Sequence, residues 1–449
     1  MKINKILENL KKHKKVLIAI FLIAVFMYYL IWTISQPFNS CPDEEMKYDI
    51  CKYLYQNNSL PRGDDIAIRN SIWGISYAFQ PILTYMISAI LMKIMAIFTQ
   101  DQFALVIAAR LVSTISMTGV IYLVIKISQK LFKGIYKYLF ITFVAFLPLT
   151  AFLASYINND STALLAISII IYTWILGLES NWKNKHCIML GIGIGFCALT
   201  YYNAYGYILC SVILCLISVM SNKMKLKEIL QKILIVSLIA FLIAGWWFIR
   251  NAIIYNGDIL GLNAQIECGN KYAQEDFKPS KRKTPQSKNE SIIDMLYKDG
   301  WVHFTMRSFV GIFGYHTIVM SSKIYYCYFL IWIIAFIGII MKFKELFIYD
   351  KEHKNKYILN YIFVLSIIIP IILSIYYSFA SDFQPQGRYI MPIIIPFAYF
   401  LVNGIEKIIK KFVKSPVLQK TIITILITLI IFISFKALFG YIMPAYKIK

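Results

Sequence analysis

Three consecutive carboxylates, Asp43, Glu44 and Glu45, stand in CPDEEMKYD (residues 41–49) just beyond an apolar run, in a chain with only 23 acidic residues among 449. A carboxylate at the lip of a bilayer is costly unless it is paired, wetted or used, so the cluster is a candidate for taking a proton or holding a cation. A structural reading stands beside it. Ser40-Cys41-Pro42-Asp43 fits the Ser-x-x-acid pattern of a helix amino-terminal cap with proline early in the first turn, and the acids would then only complement the helix dipole. A cap needs one carboxylate, and three are present.

Other polar residues sit at comparable places. Asp160 lies in INNDST (157–162) at the start of an apolar run, where capping alone explains an Asn-Asp-Ser cluster. Arg388 lies in QPQGRYIMPIIIP (384–396), at the amino-terminal end of a span, where the helix dipole opposes a cation and an anion would relieve it. Lipid headgroups holding a snorkelling arginine are the alternative. Pro392 and Pro396, four apart, predict a kink that leaves two backbone carbonyls without their usual donors. In WWFIRNAIIYNGDILG (246–261), Trp246 and Trp247 read as interfacial aromatics, Asp258 as part of an Asn-Gly-Asp turn, and Arg250 as a second cation at a helix end. Arginines on two helices and acids on two further segments could together hold a phosphate and deprotonate a hydroxyl. Asn251 and Tyr389, beside the two arginines, and Lys47 are further candidates for binding the phosphate or substrate.

Composition says what must carry these groups. Hydrophobic residues make up 59% of the chain and charged residues 15%, a balance that excludes a soluble globular surface. The net charge of +23 comes from Lys and Arg clustered between apolar runs, as in loops facing anionic lipid rather than nucleic acid. HExxH, GxxxxGK[ST] and GxSxG are absent, as is a chain of intramembrane carboxylates of the kind proton-coupled pumps use. Cys187, Cys197, Cys210 and Cys215 lie inside apolar runs, where packing is expected, while Cys41, Cys51 and Cys268 fall in the longer polar segments, where a bridge stays open.

Apolar windows long enough to span lie at residues 16–35, 104–127, 138–157, 162–178, 233–249, 324–341, 357–379, 389–403 and 421–439. The first is read as a retained helix after a basic cytoplasmic amino terminus. Residues 187–220 read as a tight pair, and residues 81–98 as a helix lying along the outer interface. The whole chain, 1–449, is then one all-α polytopic membrane domain of about 11 transmembrane helices. Its short basic loops and amino-terminal segment hold 26 of the 46 Lys and Arg on the cytoplasmic side. Two large outer loops, about 36–103 and 251–323, put the chemistry on the extracytoplasmic face of a plasma-membrane protein.

The order PDE after the first span, ND before the fourth, WWxxRNxxxxGDxxG after the seventh and QGRYxxPxxxP at the tenth resembles the GT-C superfamily of polyprenyl-phosphate-dependent membrane glycosyltransferases. The similarity is to a bacterial branch catalogued as an uncharacterised multi-pass membrane domain, whose SFxGxFG stretch reads SFVGIFG here, residues 308–314. The resemblance implies a GT-C-like fold and an inverting enzyme that moves a hexose or pentose from a lipid-phosphate donor to an acceptor hydroxyl. It implies Asp43 as the base, Glu44 as its understudy and Asp160 as the second acidic position, and it agrees with an interfacial helix in the first outer loop. The branch carries PDExxH where this chain has Lys47, which holds a phosphate but is no neutral imidazole at ordinary pH. His316 is assigned no role. A divalent ion, Mg or Mn, bridging Asp43, Glu44 and Asp160 with the lipid phosphate is left open. A non-catalytic flippase or export component, or an O-antigen-type polymerase or ligase, is the alternative. Richness in Ile, Lys, Asn and Tyr suggests a bacterium of low GC content, with a cell-envelope glycan, lipid or protein as acceptor.

Overall fold

The computed structural model describes residues 13–222 and 224–447, so most of the basic amino-terminal segment and Lys223, to which the cytoplasmic expectation was attached, lie outside the described residues. Among the described residues, eight helices are long and apolar enough to cross a membrane. Helix α1 (Lys14–Ile34) leads through an irregular turn into α2 (Glu44–Asn57), then α3 (Leu83–Ala96) and the long α4 (Gln102–Leu131). There follow α5 (Tyr136–Ala145), α6 (Pro148–Leu153), α7 (Asp160–Ser180), α8 (Asn184–Ala198), α9 (Gly206–Asn222) and α10 (Leu226–Ile254). After a long loop that holds a helix at Leu262–Tyr272 and several short helical turns come α11 (Trp301–Gly311), the strands β1 (Ile312–Phe313) and β2 (Ile318–Val319), α12 (Ser322–Met341), α13 (Lys354–Ala380), α14 (Ile394–Phe412) and α15 (Pro416–Ala437).

Residues 187–220 divide into α8 and α9, with a short turn at Tyr202–Ala204 between them. Helix α3 has 14 residues, about 21 Å at 1.5 Å per residue, shorter than the roughly 30 Å hydrocarbon core, and it packs on α2 and α4. The window 138–157, expected as one span, is not one helix. Pro148 has no N–H to continue the ladder, so α5 stops at Ala145 and a new short helix begins at the proline. The Ala145 carbonyl exposed by that stop accepts a hydrogen bond from the Tyr29 hydroxyl at 2.8 Å.

Helices α7 and α14 are central and mostly buried, whereas α10 turns most of its surface outward. The tightest crossing is that of α12 with α14, where an added Cβ at Gly338 would fall 2.0 Å from the Gly404 carbonyl oxygen; only glycine lets two helix backbones approach this closely. At one end of the bundle Lys130 pairs with Glu179 at 2.6 Å and Lys342 with Glu406 at 3.0 Å. The other end gathers α2, the amino termini of α7 and α14, α11 and the β-hairpin, and there the candidate site forms.

Candidate active site

The chain leaves α1 at Ser35 and enters α2 at Glu44 through Asp43, whose backbone is left-handed (φ 61°, ψ 14°). Aspartate tolerates that region better than most residues, at some cost. The capping expectation fails here. Asp43 occupies the amino-cap position but makes no side-chain cap bond, and the Ser40 hydroxyl donates to the Pro37 carbonyl at 2.8 Å instead. The turn sends neighbouring carboxylates in different directions: Asp43 faces Arg388, and Glu44 goes into the bundle.

Asp43 Oδ2 accepts from Arg388 Nη2 at 2.9 Å and stands 3.8 Å from Lys47 Nζ. Lys47, one turn along α2, is buried and lies over the Tyr77 and Tyr156 rings at 5.5 and 5.8 Å. Burial alone favours the neutral acid at Asp43, but the positive charges of Arg388 and Lys47 outweigh it and hold the carboxyl down at about 2. Burial lowers the Lys47 pKa, and the Asp43 charge opposes that shift. Asp160, at the first turn of α7, is buried within electrostatic reach of Arg388, Lys47 and Asp43. It is not the cap either, since Asn158 Oδ1 accepts from the Ser161 N–H at 2.9 Å.

Arg388 is delivered by a 3₁₀ segment, Gly387–Ile393, that precedes α14. Gly387 N–H donates to the Ser308 hydroxyl at 3.0 Å, and a Cβ at Gly387 would fall 2.1 Å from Phe309 N. Thus the QGRY stretch lies directly on SFVGIFG. Pro396 falls inside α14 and removes the donor for the Pro392 carbonyl, which accepts from the Tyr207 hydroxyl at 2.7 Å; one of the carbonyls expected to be orphaned is therefore satisfied. Arg388 Nη2 also donates to the Tyr389 hydroxyl at 3.0 Å, and Tyr389 continues to Gln384. Gln384 Nε2 donates to Asp382 at 2.6 Å, and Arg282 of the second large loop stands 3.6 Å from Asp382.

Glu44 is corrected from understudy base and metal ligand to a structural group. It is fully buried, with Arg110 Nε and Nη2 each 2.7 Å from one of its oxygens. Asn39 N–H and Ile157 N–H complete its shell at 3.1 and 3.3 Å. Arg110 also donates to the carbonyls of Thr33, Gln36 and Pro37 at 2.9, 2.7 and 3.0 Å, closing the end of α1. Both Glu44 oxygens are therefore committed, and Asp43 already faces two cations. The carboxylates do not form the three-ligand set that a bridging Mg or Mn would need. Among the described residues, the only compact cluster of possible ligands is the exposed group Asp350, Glu352 and His353, beyond the opposite end of α12.

Arg250 and Asn251 also lie apart from Asp43. Arg250 donates to the Pro61 carbonyl at 2.7 Å and stacks on Trp247, and buried Asn251 donates to the Phe79 carbonyl at 3.1 Å. Both tie the end of α10 to the first large loop. Trp247, expected at an interface, is fully buried; Asp258 forms the expected turn, accepting from Gly261 and Ala264. Cys41, Cys51 and Cys268 are buried free thiols, with no bridge among them.

Residues to which the sequence assigned no role stand around these groups: Tyr77, Tyr156, Gln384 and His316 beside Asp43, Lys47 and Arg388, and Arg110 behind them on Glu44. His316 has left-handed backbone (φ 62°) in the β1–β2 turn, and burial together with the Arg388 charge lowers its pKa. Its only sequence signal was the GYH continuation of SFVGIFG.

Two outcomes test this geometry. Gly387→Ala should destabilise the protein by about 1–3 kcal/mol in denaturant titration, because the methyl group meets the Phe309 backbone; an unchanged midpoint would contradict the close approach. The Asp43 pairing stabilises the fold fully above the ordinary aspartate pKa of about 3.9 and is lost as pH falls through about 2. The stability gap between the native protein and Asp43→Asn should therefore be constant from about pH 6 to 8, narrow below about pH 4 and close only as pH falls through about 2. A gap unchanged at the lowest pH would remove the ion pair as its source.

The family described as "Predicted membrane protein (DUF2142)" matches residues 43–397. No curated protein sequence matches the chain. Among solved structures, the oligosaccharyltransferase AglB from Archaeoglobus fulgidus, in complex with an inhibitory peptide and a dolichol-phosphate, is 12% identical at a TM-score of 0.57. ArnT from Cupriavidus metallidurans bound to undecaprenyl phosphate is 14% identical at a TM-score of 0.52. The matches cover 94% and 86% of this chain but only 55% and 60% of those proteins. This likeness shows the fold alone, a bundle of membrane helices arranged as in these two proteins.

Proposed function

The chain belongs to the DUF2142 family of membrane proteins, and from that premise we propose that it transfers a sugar from a polyprenyl-phosphate donor to an acceptor hydroxyl on the extracytoplasmic face of the membrane. The observation that carries the reading is the Asp43–Arg388 contact at 2.9 Å, with Lys47 and Asp160 beside it, at one end of a GT-C bundle. An acid and two cations in one pocket suit a reaction that takes a proton at one side of a sugar and releases a phosphate at the other. Asp43 accepts the hydroxyl proton as the acceptor oxygen attacks the anomeric carbon. The bond from that carbon to the phosphate oxygen breaks, and polyprenyl phosphate departs with its charge held by Arg388 and Lys47. One displacement inverts the anomeric centre. Asp160 orients the two cations through its charge, and Tyr389 fixes the Arg388 fork.

The lipid-phosphate ligands of AglB and ArnT support this donor class. The gathering of 26 of the 46 Lys and Arg in the amino-terminal segment and the short loops supports the extracytoplasmic side for the two large loops, since long loops cross largely regardless of charge. Incubating the purified protein with a polyprenyl-phosphate sugar and analysing the lipid headgroup tests the reaction. Free polyprenyl phosphate is the expected product; an unchanged headgroup together with release of polyprenyl diphosphate from a polyprenyl-diphosphate-linked glycan supplied in parallel would indicate ligation, and no change to either donor would indicate transport.

A further inference from the structure

Asp43 and Arg388 cannot both perform the proposed roles while bound to each other. An aspartate held down by a guanidinium is a poor proton acceptor, and a guanidinium neutralised by an aspartate is a weak phosphate ligand. The surroundings indicate which partner can move. Lys47 is wedged over two aromatic rings, and Arg110 has its donors divided between Glu44 and three carbonyls. Arg388 is held less completely. Its bonds to Asp43 and to Tyr389 both leave from Nη2, while Nε is buried with no partner. A buried guanidinium nitrogen without an acceptor is unfavourable, and a phosphate oxygen is an acceptor that fits it. Asp43 is the more open member of the pair, its side chain 29% exposed against 11% for Arg388.

Resting on the reading above, we infer that Arg388 is shared between Asp43 and the phosphate of the donor, so that seating a lipid phosphate draws the guanidinium off Asp43 and releases its carboxylate to accept a proton. The pair is a lock that the first substrate opens. Without a donor the base is masked; with one, the anion takes up Nε and part of Nη2, and Asp43 keeps only Lys47 as a near cation. Binding is therefore ordered, donor before acceptor, and the base is exposed only when there is a sugar to transfer.

The lock makes a prediction that a simple binding pocket does not. Removing the Asp43 charge frees Arg388 in advance, so Asp43→Asn should bind undecaprenyl phosphate about tenfold more tightly than the native protein. Loss of general charge repulsion would also raise affinity, but independently of Arg388. The measurement is therefore a double-mutant cycle by microscale thermophoresis in detergent, with undecaprenyl phosphate as the probe and inorganic phosphate in parallel to separate a headgroup effect from one that needs the lipid. The expected gain on Asp43→Asn is about tenfold in the native background and under about twofold in the Arg388→Ala background. Equal gains in both backgrounds, or none in the native one, would overturn the lock. Absence of undecaprenyl phosphate binding by the native protein would instead overturn the functional reading beneath it. Asp43→Glu, which keeps the charge, should show no gain, and Asp43→Ala replaces the asparagine variant in the cycle if that variant is lost on extraction.

Discussion

Asp43→Asn should lower sugar transfer by about 10²- to 10⁴-fold, the usual contribution of a positioned general base, while the protein remains inserted and extractable. Asparagine is nearly the same size as aspartate, so the packing around the site is kept, while the charge that holds Arg388 and the ability to accept a proton are both lost. Some thermal stability goes with the charge, because Arg388 and Lys47 then face each other across a neutral group. Normal amounts of membrane protein with undiminished transfer would remove Asp43 from the reaction.

The second large effect is on stability. Arg110→Ala should destabilise the protein by about 3–5 kcal/mol, the typical cost of leaving a buried charge without its partner. Glu44 would keep only two backbone donors, and the carbonyls of Thr33, Gln36 and Pro37 would lose theirs together. Arg110→Lys should restore little, since a single ammonium cannot serve both carboxylate oxygens and three carbonyls at once. Denaturant titration in detergent measures both variants; a loss under about 1 kcal/mol, the range of an exposed pair, would show that water reaches Glu44. Activity should fall with stability, because Glu44 is adjacent to Asp43 and bonds the Ile157 N–H, three residues before Asp160.

The positions legible in the sequence were those where a polar group sits against the grain of its surroundings. Asp43, Asp160 and Arg388 lie at the lips of apolar runs, and each comes from a different element to the same end of the bundle. Lys47 was legible as a substitution in a pattern, and its ring contacts give it a place beside Asp43. Arg110 was hidden because it lies well inside α4, among apolar residues, with its partner 66 residues away. Glu44 was misread because adjacency in sequence suggested adjacency in space, and the left-handed backbone at Asp43 parts the two side chains. Arg250 shows the reverse error: a cation at a helix end looked available, but the Pro61 carbonyl occupies it. Periodicity and length carried most of the helices. The break at Pro148 was missed because hydropathy continues through it, although the proline itself was the signal. Loop contacts such as Arg282 with Asp382, and His316 near Arg388, join residues far apart in the chain and have no local pattern to betray them.

The central claim is that Asp43, Lys47, Asp160 and Arg388, from distant stretches of one polypeptide, build a single site for a lipid phosphate. Its most direct test is a cryo-electron microscopy structure of the full chain with undecaprenyl phosphate. The account predicts phosphate density within hydrogen-bonding distance of Arg388, with Lys47 alongside and the Asp43 contact opened. A phosphate bound only elsewhere, with the Asp43–Arg388 pair intact, would contradict it.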